Sequence, residues 1–293
     1  MSLSIQSNAA SLSIQNQLNR TNSALSTALE RLGSGYRINS AKDDAAGLQI
    51  ANRLNAQATG QKAAIYNANN AQSMMQTAEG AFDEMTNIAN RMKELATQAA
   101  NGTNSSSEYT AMDAEYQALG KEMQSIIANT SFGAGTKLLD TTTGKFGSGA
   151  VTFQIGASTS ETLAVDVSTQ IGAIDTAIGT GGTYAGQALA WDTDAATTQT
   201  NAQTAMTEID TLIDNIGSAR SALGASMNRM DHSINNVTNM KENTEAAASN
   251  LMDADYAAET SAMTKQQLLM NSGVSVLSVS NSTTSMIASL LRG

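Results

Sequence analysis

Apolar residues recur at helical spacing in three long stretches of the chain. From Met75 the series Met75, Ala78, Phe82, Met85, Ala89, Met92, Ala96 and Ala99 alternates steps of three and four, as in a helix that buries one narrow face against a neighbour. Tyr109, Met112, Tyr116, Leu119, Met123 and Ile126 keep the same rhythm. So do Leu212, Ile216, Ala219 and Leu223 and then, after one extra step of four, Met227, Met230, Ile234 and Val237. Helix is expected from about Asp44 to Ala100 and again from about Asn201 to Asn250. At about 1.5 Å per residue each would span roughly 75 to 85 Å, so the two match in length and can lie side by side. Asn101-Gly102-Thr103-Asn104 is the expected reversal after the first of them, and the serines that follow offer N-caps to the helix through Ile127.

The pattern changes between about Asn129 and Thr200. Gly, Thr and Ser dominate, and the short alternations Val151-Thr152-Phe153-Gln154-Ile155 and Leu163-Ala164-Val165-Asp166-Val167 predict short strands bounded by turns. Trp191 is expected to be a local packing anchor. The two ends carry a third pattern. Leu18, Leu25 and Leu32 fall seven apart, as do Tyr256, Met263, Met270 and Leu277, and a seven-residue stripe wants a partner helix. Each stripe is too narrow to offset its own ordering entropy, so the ends are expected to be disordered until something pairs them. The first set is read as a seam against the second; the alternative is that the stripes pack only within one chain. Val274-Ser275-Val276-Leu277-Ser278-Val279 is locally strand-like and argues against helix there. The fold class that follows is mainly α: a long coiled-coil-like helical rod with paired terminal helices and a small β section in the middle of the chain.

Composition narrows the chemistry. The chain has no proline, which permits very long helices, and no cysteine, which excludes disulfides, thiolate metal sites and thiol nucleophiles. His232 stands alone, leaving no histidine pair for a metal. Only 14% of residues are charged, against about 25% in ordinary domains, and 4% are aromatic, which suits thin helical packing better than a thick globule. A formal net charge of −10 with scattered basic residues argues against nucleic acid. No run approaches the roughly 20 apolar residues of a membrane span. Met1 to Arg20 lacks the features of a secretory signal, so the chain either stays in the cytoplasm or leaves by a route without a cleaved signal. Gly33-Ser34-Gly35 is not followed by the Gly-Lys-Ser/Thr of a phosphate loop. It reads as a joint between helices, with Ser40 or Asp43 capping the next one and Asp43-Asp44 as helix-dipole partners. No catalytic, cofactor-binding or metal-binding residues are assigned.

Leu29-Glu30-Arg31-Leu32-Gly33-Ser34-Gly35-Tyr36-Arg37-Ile38-Asn39-Ser40-Ala41-Lys42-Asp43-Asp44-Ala45-Ala46-Gly47 closely resembles the amino-terminal signature of bacterial flagellins. Arg91-Met92-Lys93-Glu94-Leu95-Ala96, Thr130-Ser131-Phe132 and Leu138-Leu139 are similar to later motifs of that family. So are Ile216-Gly217-Ser218-Ala219-Arg220, Asn228-Arg229 and the terminal Ser289-Leu290-Leu291-Arg292-Gly293. The resemblance covers roughly residues 1 to 140 and 200 to 293 and fails between them. It implies a terminal coiled-coil domain of 1–44 with 251–293 lining a filament core, a helical rod domain of 45–140 with 196–250, and a short variable outward-facing segment over 141–195. It also implies a non-enzymatic structural subunit that polymerises with itself into the extracellular filament for motility. Export by the flagellar type III route, a dedicated export chaperone and a filament cap protein come with it.

Within that frame, Leu18, Leu25, Leu32, Tyr256, Met263, Met270 and Leu277 are the expected core seam. Arg91, Leu95 and Glu115 flank the helical seams and are expected to face outward together. They match positions by which similar flagellins contact other subunits and bind a Toll-like innate immune receptor. The competing readings are a hook-filament junction protein or a secreted helical adhesin. A metalloprotease insert would need His-Glu-x-x-His, and His232 is followed by Ser233-Ile234-Asn235. The Ser- and Thr-rich segment between Thr141 and Thr200 is expected to face outward and to tolerate or carry glycans, and to accept a short polar insertion near Gly181-Gly182.

Overall fold

A computed structural model of the chain describes residues 8–178, 189 and 195–290. In chain order these form α1 (Ala9–Ser34), α2 (Ala45–Ala99), α3 (Ser106–Asn129), β1 (Ser131–Phe132), β2 (Thr136–Lys137), β3 (Val151–Gln154), β4 (Thr162–Val165), α4 (Ser168–Ile178), α5 (Ala195–Met252) and α6 (Tyr256–Leu290). The chain divides into two compact units. One comprises Ala58–Lys241, the other the chain up to Gln57 together with the chain from Glu242 onward. Trp191 and Gly181-Gly182 lie outside the described residues.

In the larger unit the helices follow the apolar rhythm. All eight residues of the series Met75 to Ala99 are buried, none more than 1% exposed. Leu212, Ile216, Ala219, Leu223 and Met230 are buried completely, while Met227 and Ile234 are half-buried. On α3, Tyr109, Tyr116 and Met123 are buried, and Met112, Leu119 and Ile126 lie at the margin of the same core. At roughly 1.5–3 kcal/mol for each fully buried large aliphatic side chain, this seam dominates the unit's stability. Polar contacts at its edges fix the register. Gln72 donates to Asp231 (2.9 Å), Arg220 pairs with Glu79 and Asp83 (3.5 and 3.0 Å), and Lys93 pairs with Asp210. As the α2 number rises the α5 number falls, so the two helices run antiparallel.

Between α2 and α3 the chain reverses at Asn101–Asn104. The Glu108 carboxylate reaches back to the Ser105 N–H (2.6 Å) and hydroxyl (2.8 Å), closing the first turn of α3 and holding that carboxyl below its ordinary pKa. After α3, β1 and β2 form a two-residue antiparallel ladder. Its turn needs Gly133 and Gly135 at φ 63° and 82°, a region that side-chain-bearing residues avoid. β3 and β4 pair antiparallel from Val151↔Val165 to Gln154↔Thr162, close to the expected strands. α4 interrupts a stretch expected to hold only strands and turns. Its Ile171, Ile174 and Ile178 are buried at helical spacing, and Asp166 accepts from the Ser168 N–H (3.0 Å) and hydroxyl (2.6 Å) at its start.

In the smaller unit α1 and α6 pack along each other. The strand-like Val274 to Val279 is helical, a correction to the local reading: β-branched propensity yields where a helix has a partner to lie on. Among the described residues the two terminal helices of one chain are paired with each other.

Candidate functional site

The terminal pair starts from a joint. Gly35, at φ 77°, caps α1 with its N–H on the Arg31 carbonyl (2.8 Å). The next residues then bond to the segment between α5 and α6. Arg37 N–H donates to Met252 O (2.6 Å), Ala254 N–H to Gly35 O (2.9 Å), and the Arg37 guanidinium to Leu251 O (2.9 Å). The end of α1 and the start of α6 are thereby held together, and the two helices run antiparallel from that point.

Contacts continue along the pair. Arg31 and Glu259 form an ion pair at 3.0 Å. Leu18 packs on Gly273, where a Cβ would lie 2.7 Å from Leu18 Cδ2, so a larger residue there would require the Leu18 side chain to move. At the far end Asn8 donates to Ser280 O (3.2 Å) and Ser11 to Asn281 (3.1 Å).

The seven stripe residues sit on this pair but are buried unequally. Leu25 is buried at 8% exposure, and Leu18, Leu32, Met263, Met270 and Leu277 are half-buried. Tyr256 departs from the expectation of a seam residue. It is 59% exposed, and its hydroxyl donates to Leu32 O (3.3 Å). It is the first residue of α6, level with the point where α1 has ended in the Gly35 turn, so no facing helix covers its ring. The apolar count missed Gly273 and the Arg31–Glu259 pair. Opposite charges beside the two leucine-type stripes were the available signal for the second.

The pair is sparsely buried. Only Thr21, Leu25 and Ala28 of α1 are buried, and no α6 residue with a described side chain is. Leu12, Leu268, Val274, Val276, Val279 and Met286 are each more than half exposed. A groove of about 250 Å³ runs between the helices, lined by Ile14, Leu18, Leu269 and Val276 among others.

The second expected face is partly there. Arg91 bridges Glu94 (2.6 Å) and Glu115 (2.8 Å), and all three side chains are close to half exposed. Hydrogen bonds to Glu115 first, then Glu94, raise the Arg91 pKa above its ordinary value. Leu95 does not join them. It is only 2% exposed, a correction to the outward-facing expectation. A helix packed against two neighbours buries a wider stripe than a two-helix seam, and Ile88 and Leu95 form the added row beside Met92.

At the start of α2 the two aspartates divide the work expected of Ser40 or Asp43. Asp44 caps the helix by accepting from Gly47 N–H (2.8 Å). Asp43 closes the preceding turn by accepting from the N–H groups of Asn39 (3.1 Å) and Ser40 (2.9 Å) and from the Ser40 hydroxyl (3.0 Å). His232 is exposed on α5. Among the described residues no group of three His, Cys, Asp or Glu is arranged to hold a metal ion, and no helix is long and apolar enough to cross a membrane.

Comparison with known proteins matches both halves of the chain. Residues 5–144 fit the bacterial flagellin N-terminal helical region, and residues 206–291 fit the bacterial flagellin C-terminal helical region. Polar flagellin B/D of Vibrio parahaemolyticus is 48% identical over 167 residues, 57% of this chain and 43% of that protein. Flagellin A of Vibrio anguillarum is 49% identical over 169 residues, 58% and 43%. The matched part thus spans less than half the length of these curated relatives. Among solved structures, Bacillus cereus flagellin is 32% identical over 62% of this chain and 94% of that one, with a TM-score of 0.46. A putative flagellar hook-associated protein from Vibrio parahaemolyticus is 14% identical over 72% of this chain and all of that one, with a TM-score of 0.55, a likeness of fold alone. With both terminal helical regions matched in order at opposite ends of one sequence, the chain belongs to the bacterial flagellin family.

Proposed function

We propose that this chain is a structural subunit that polymerises with copies of itself into the extracellular flagellar filament and performs no catalysis. The observation that carries the reading is the contrast between its two units. The larger has a closed core, whereas among the described side chains α1 and α6 bury three residues between them and leave Leu268, Val274, Val276 and Val279 open to solvent. At about 25 cal/mol per Å² of apolar surface, such a face gains most when other copies cover it. Assembly then completes the burial that one chain leaves unfinished. In this reading 1–44 with 251–293 is the terminal domain, 45–140 with 196–250 the rod, and 141–195 the variable outer segment. The stripe Leu18, Leu25, Leu32, Met263, Met270 and Leu277 is its seam, with Tyr256 at the joint.

The same reading carries the chain out through the flagellar export apparatus, escorted by an export chaperone and inserted beneath a cap protein. The Arg91–Glu115 face then serves subunit contacts and, as a separable role, recognition by a Toll-like receptor. Leu95 supports that face from beneath.

A truncation at Asn271 tests the assembly reading. It removes the part of α6 that holds Gly273 and Leu277 and leaves the larger unit intact. The truncated chain should keep its helical signal and main melting transition and give no filaments by electron microscopy. Filaments of ordinary appearance would show that this surface is not the assembly surface.

A further inference from the structure

The turn between α2 and α3 carries a reactive pair that the assembly reading does not use. Asn101-Gly102 is the one Asn-Gly step in the sequence, and both residues are exposed. The Asn101 side-chain carbonyl accepts a long hydrogen bond from Thr103 N–H (3.4 Å). A bond to the amide two residues on folds the side chain back over the peptide between, bringing Cγ toward the Gly102 nitrogen. The same N–H polarises the Cγ carbonyl and is placed to stabilise negative charge developing on Oδ1. Gly102 has no side chain to hinder the approach.

We propose that Asn101 is a site of spontaneous deamidation in the folded chain. The Gly102 nitrogen attacks Asn101 Cγ, forming a C–N bond and a five-membered succinimide. The bond from Cγ to Nδ2 breaks, and the Gly102 proton leaves with that nitrogen as ammonia. Water then opens the ring, its hydroxyl adding to one of the two ring carbonyls and its proton returning to the nitrogen. Opening at Cγ breaks its bond to nitrogen and gives a normal aspartate linkage; opening at the main-chain carbonyl breaks that bond instead and gives isoaspartate. Each product adds one negative charge to a chain already at −10.

The position makes the change consequential. α2 ends at Ala99, so the new carboxylate lies at the carbonyl end of a helix, where negative charge is disfavoured. The Asn101 main-chain carbonyl also accepts the hydroxyl of buried Tyr109 (3.1 Å). In the isoaspartate form the chain runs through Cβ and Cγ, one backbone atom longer, and the former main-chain carbonyl that Tyr109 bonds becomes the free carboxylate. The turn therefore loosens with the age of the molecule, without an enzyme.

Asn104 supplies an internal control in the same turn. Its amide nitrogen is engaged in donating to Gln98 O (2.7 Å), and the residue after it is serine. Gly102→Ala supplies a second, because a Cβ there meets nothing within 4 Å, so the variant folds. The full chain is held at mildly alkaline pH in ordinary and in heavy-oxygen water, then digested with trypsin. The peptides Glu94–Lys121 and Glu122–Lys137 are sequenced by mass spectrometry. Replacement of NH by O, carrying the heavy oxygen, is expected at Asn101 several-fold faster than at Asn104 and Asn129, as aspartate and isoaspartate together. Gly102→Ala should slow it several-fold. The proposal is overturned if Asn101 converts no faster than Asn104, if Gly102→Ala leaves the rate unchanged, or if conversion occurs only after the chain is unfolded in denaturant.

Discussion

Truncating Leu223 to Ala should open a cavity in the best-packed part of the molecule. Leu223 is fully buried on α5, in one cluster with Met75, Phe82, Met85 and Met230. Both α2 and α5 are long unbroken helices held in register by Arg220, Lys93 and Gln72, so the backbone has little freedom to close the space. The upper part of the Leu→Ala range, about 3 to 5 kcal/mol, is therefore expected. For a folding unit of this size each kcal/mol lowers the melting temperature by roughly 2 to 4 °C, a total of about 6 to 20 °C. Leu18→Ala is the matched comparison. Leu18 is half-buried against Gly273, and its loss falls on the sparse α1–α6 pair, so the main transition should move by less than about 2 °C. Differential scanning calorimetry on dilute, unassembled chain reads both, and hydrogen exchange along α1 and α6 shows where the Leu18 loss is felt. Equal shifts for the two variants would mean that the terminal pair is as firmly docked as the central seam, and the argument for unfinished burial would fail.

Two further outcomes follow from polar groups. Gln61 is 1% exposed and neither of its amide atoms has a hydrogen-bond partner among the described residues. Gln61→Met should raise stability by about 1 to 3 kcal/mol; an equal loss in a thermal melt would mean the amide is satisfied. Asp43 is held below its ordinary pKa, chiefly by the Ser40 N–H, then the Ser40 hydroxyl and the Asn39 N–H. A depressed folded value means the contribution is fully present above the unfolded value of about 4 and is lost as pH falls through the folded one. Protection of the Asn39 and Ser40 amides, relative to unfolded chain at the same pH, should hold down to about pH 4 and fall below it, and Asp43→Asn should lower it at neutral pH. Protection unchanged in that variant would remove Asp43 from the turn.

The central helices were legible because one physical requirement, burial of a narrow stripe, fixed both their period and their extent. Met75 to Ala99 keeps that period without a break, and no proline or glycine cluster interrupts it. Leu95 was misread because period alone reports the face toward one neighbour, and α2 has two. Tyr256 was misread for the opposite reason: its heptad position is right, but a stripe continues past the point where the partner helix stops. β1 and β2 are too short to show alternation, and their signal lay in Gly133 and Gly135. The α4 isoleucines at 171, 174 and 178 did carry a helical period, which the surrounding Gly and Thr obscured. Of the Arg91 face, the charge pairing follows from residues 24 apart, and only the reversal at Asn101 made that spacing readable.

The antiparallel register of α2 and α5 sets the order of events in time. Lys93 meets Asp210 and Gln72 meets Asp231, partners 117 and 159 positions apart. At synthesis rates of about 5 to 20 residues per second, Lys93 precedes Asp210 by roughly 6 to 23 seconds. Throughout that interval the methionine and alanine face of α2 has no α5 to close on, whichever end of the chain leads. A chain threaded out of a tunnel therefore cannot lock its core until most of its length has passed. The sequence separation built into the seam acts as a delay: the core of the larger unit closes only after α5 has followed α2.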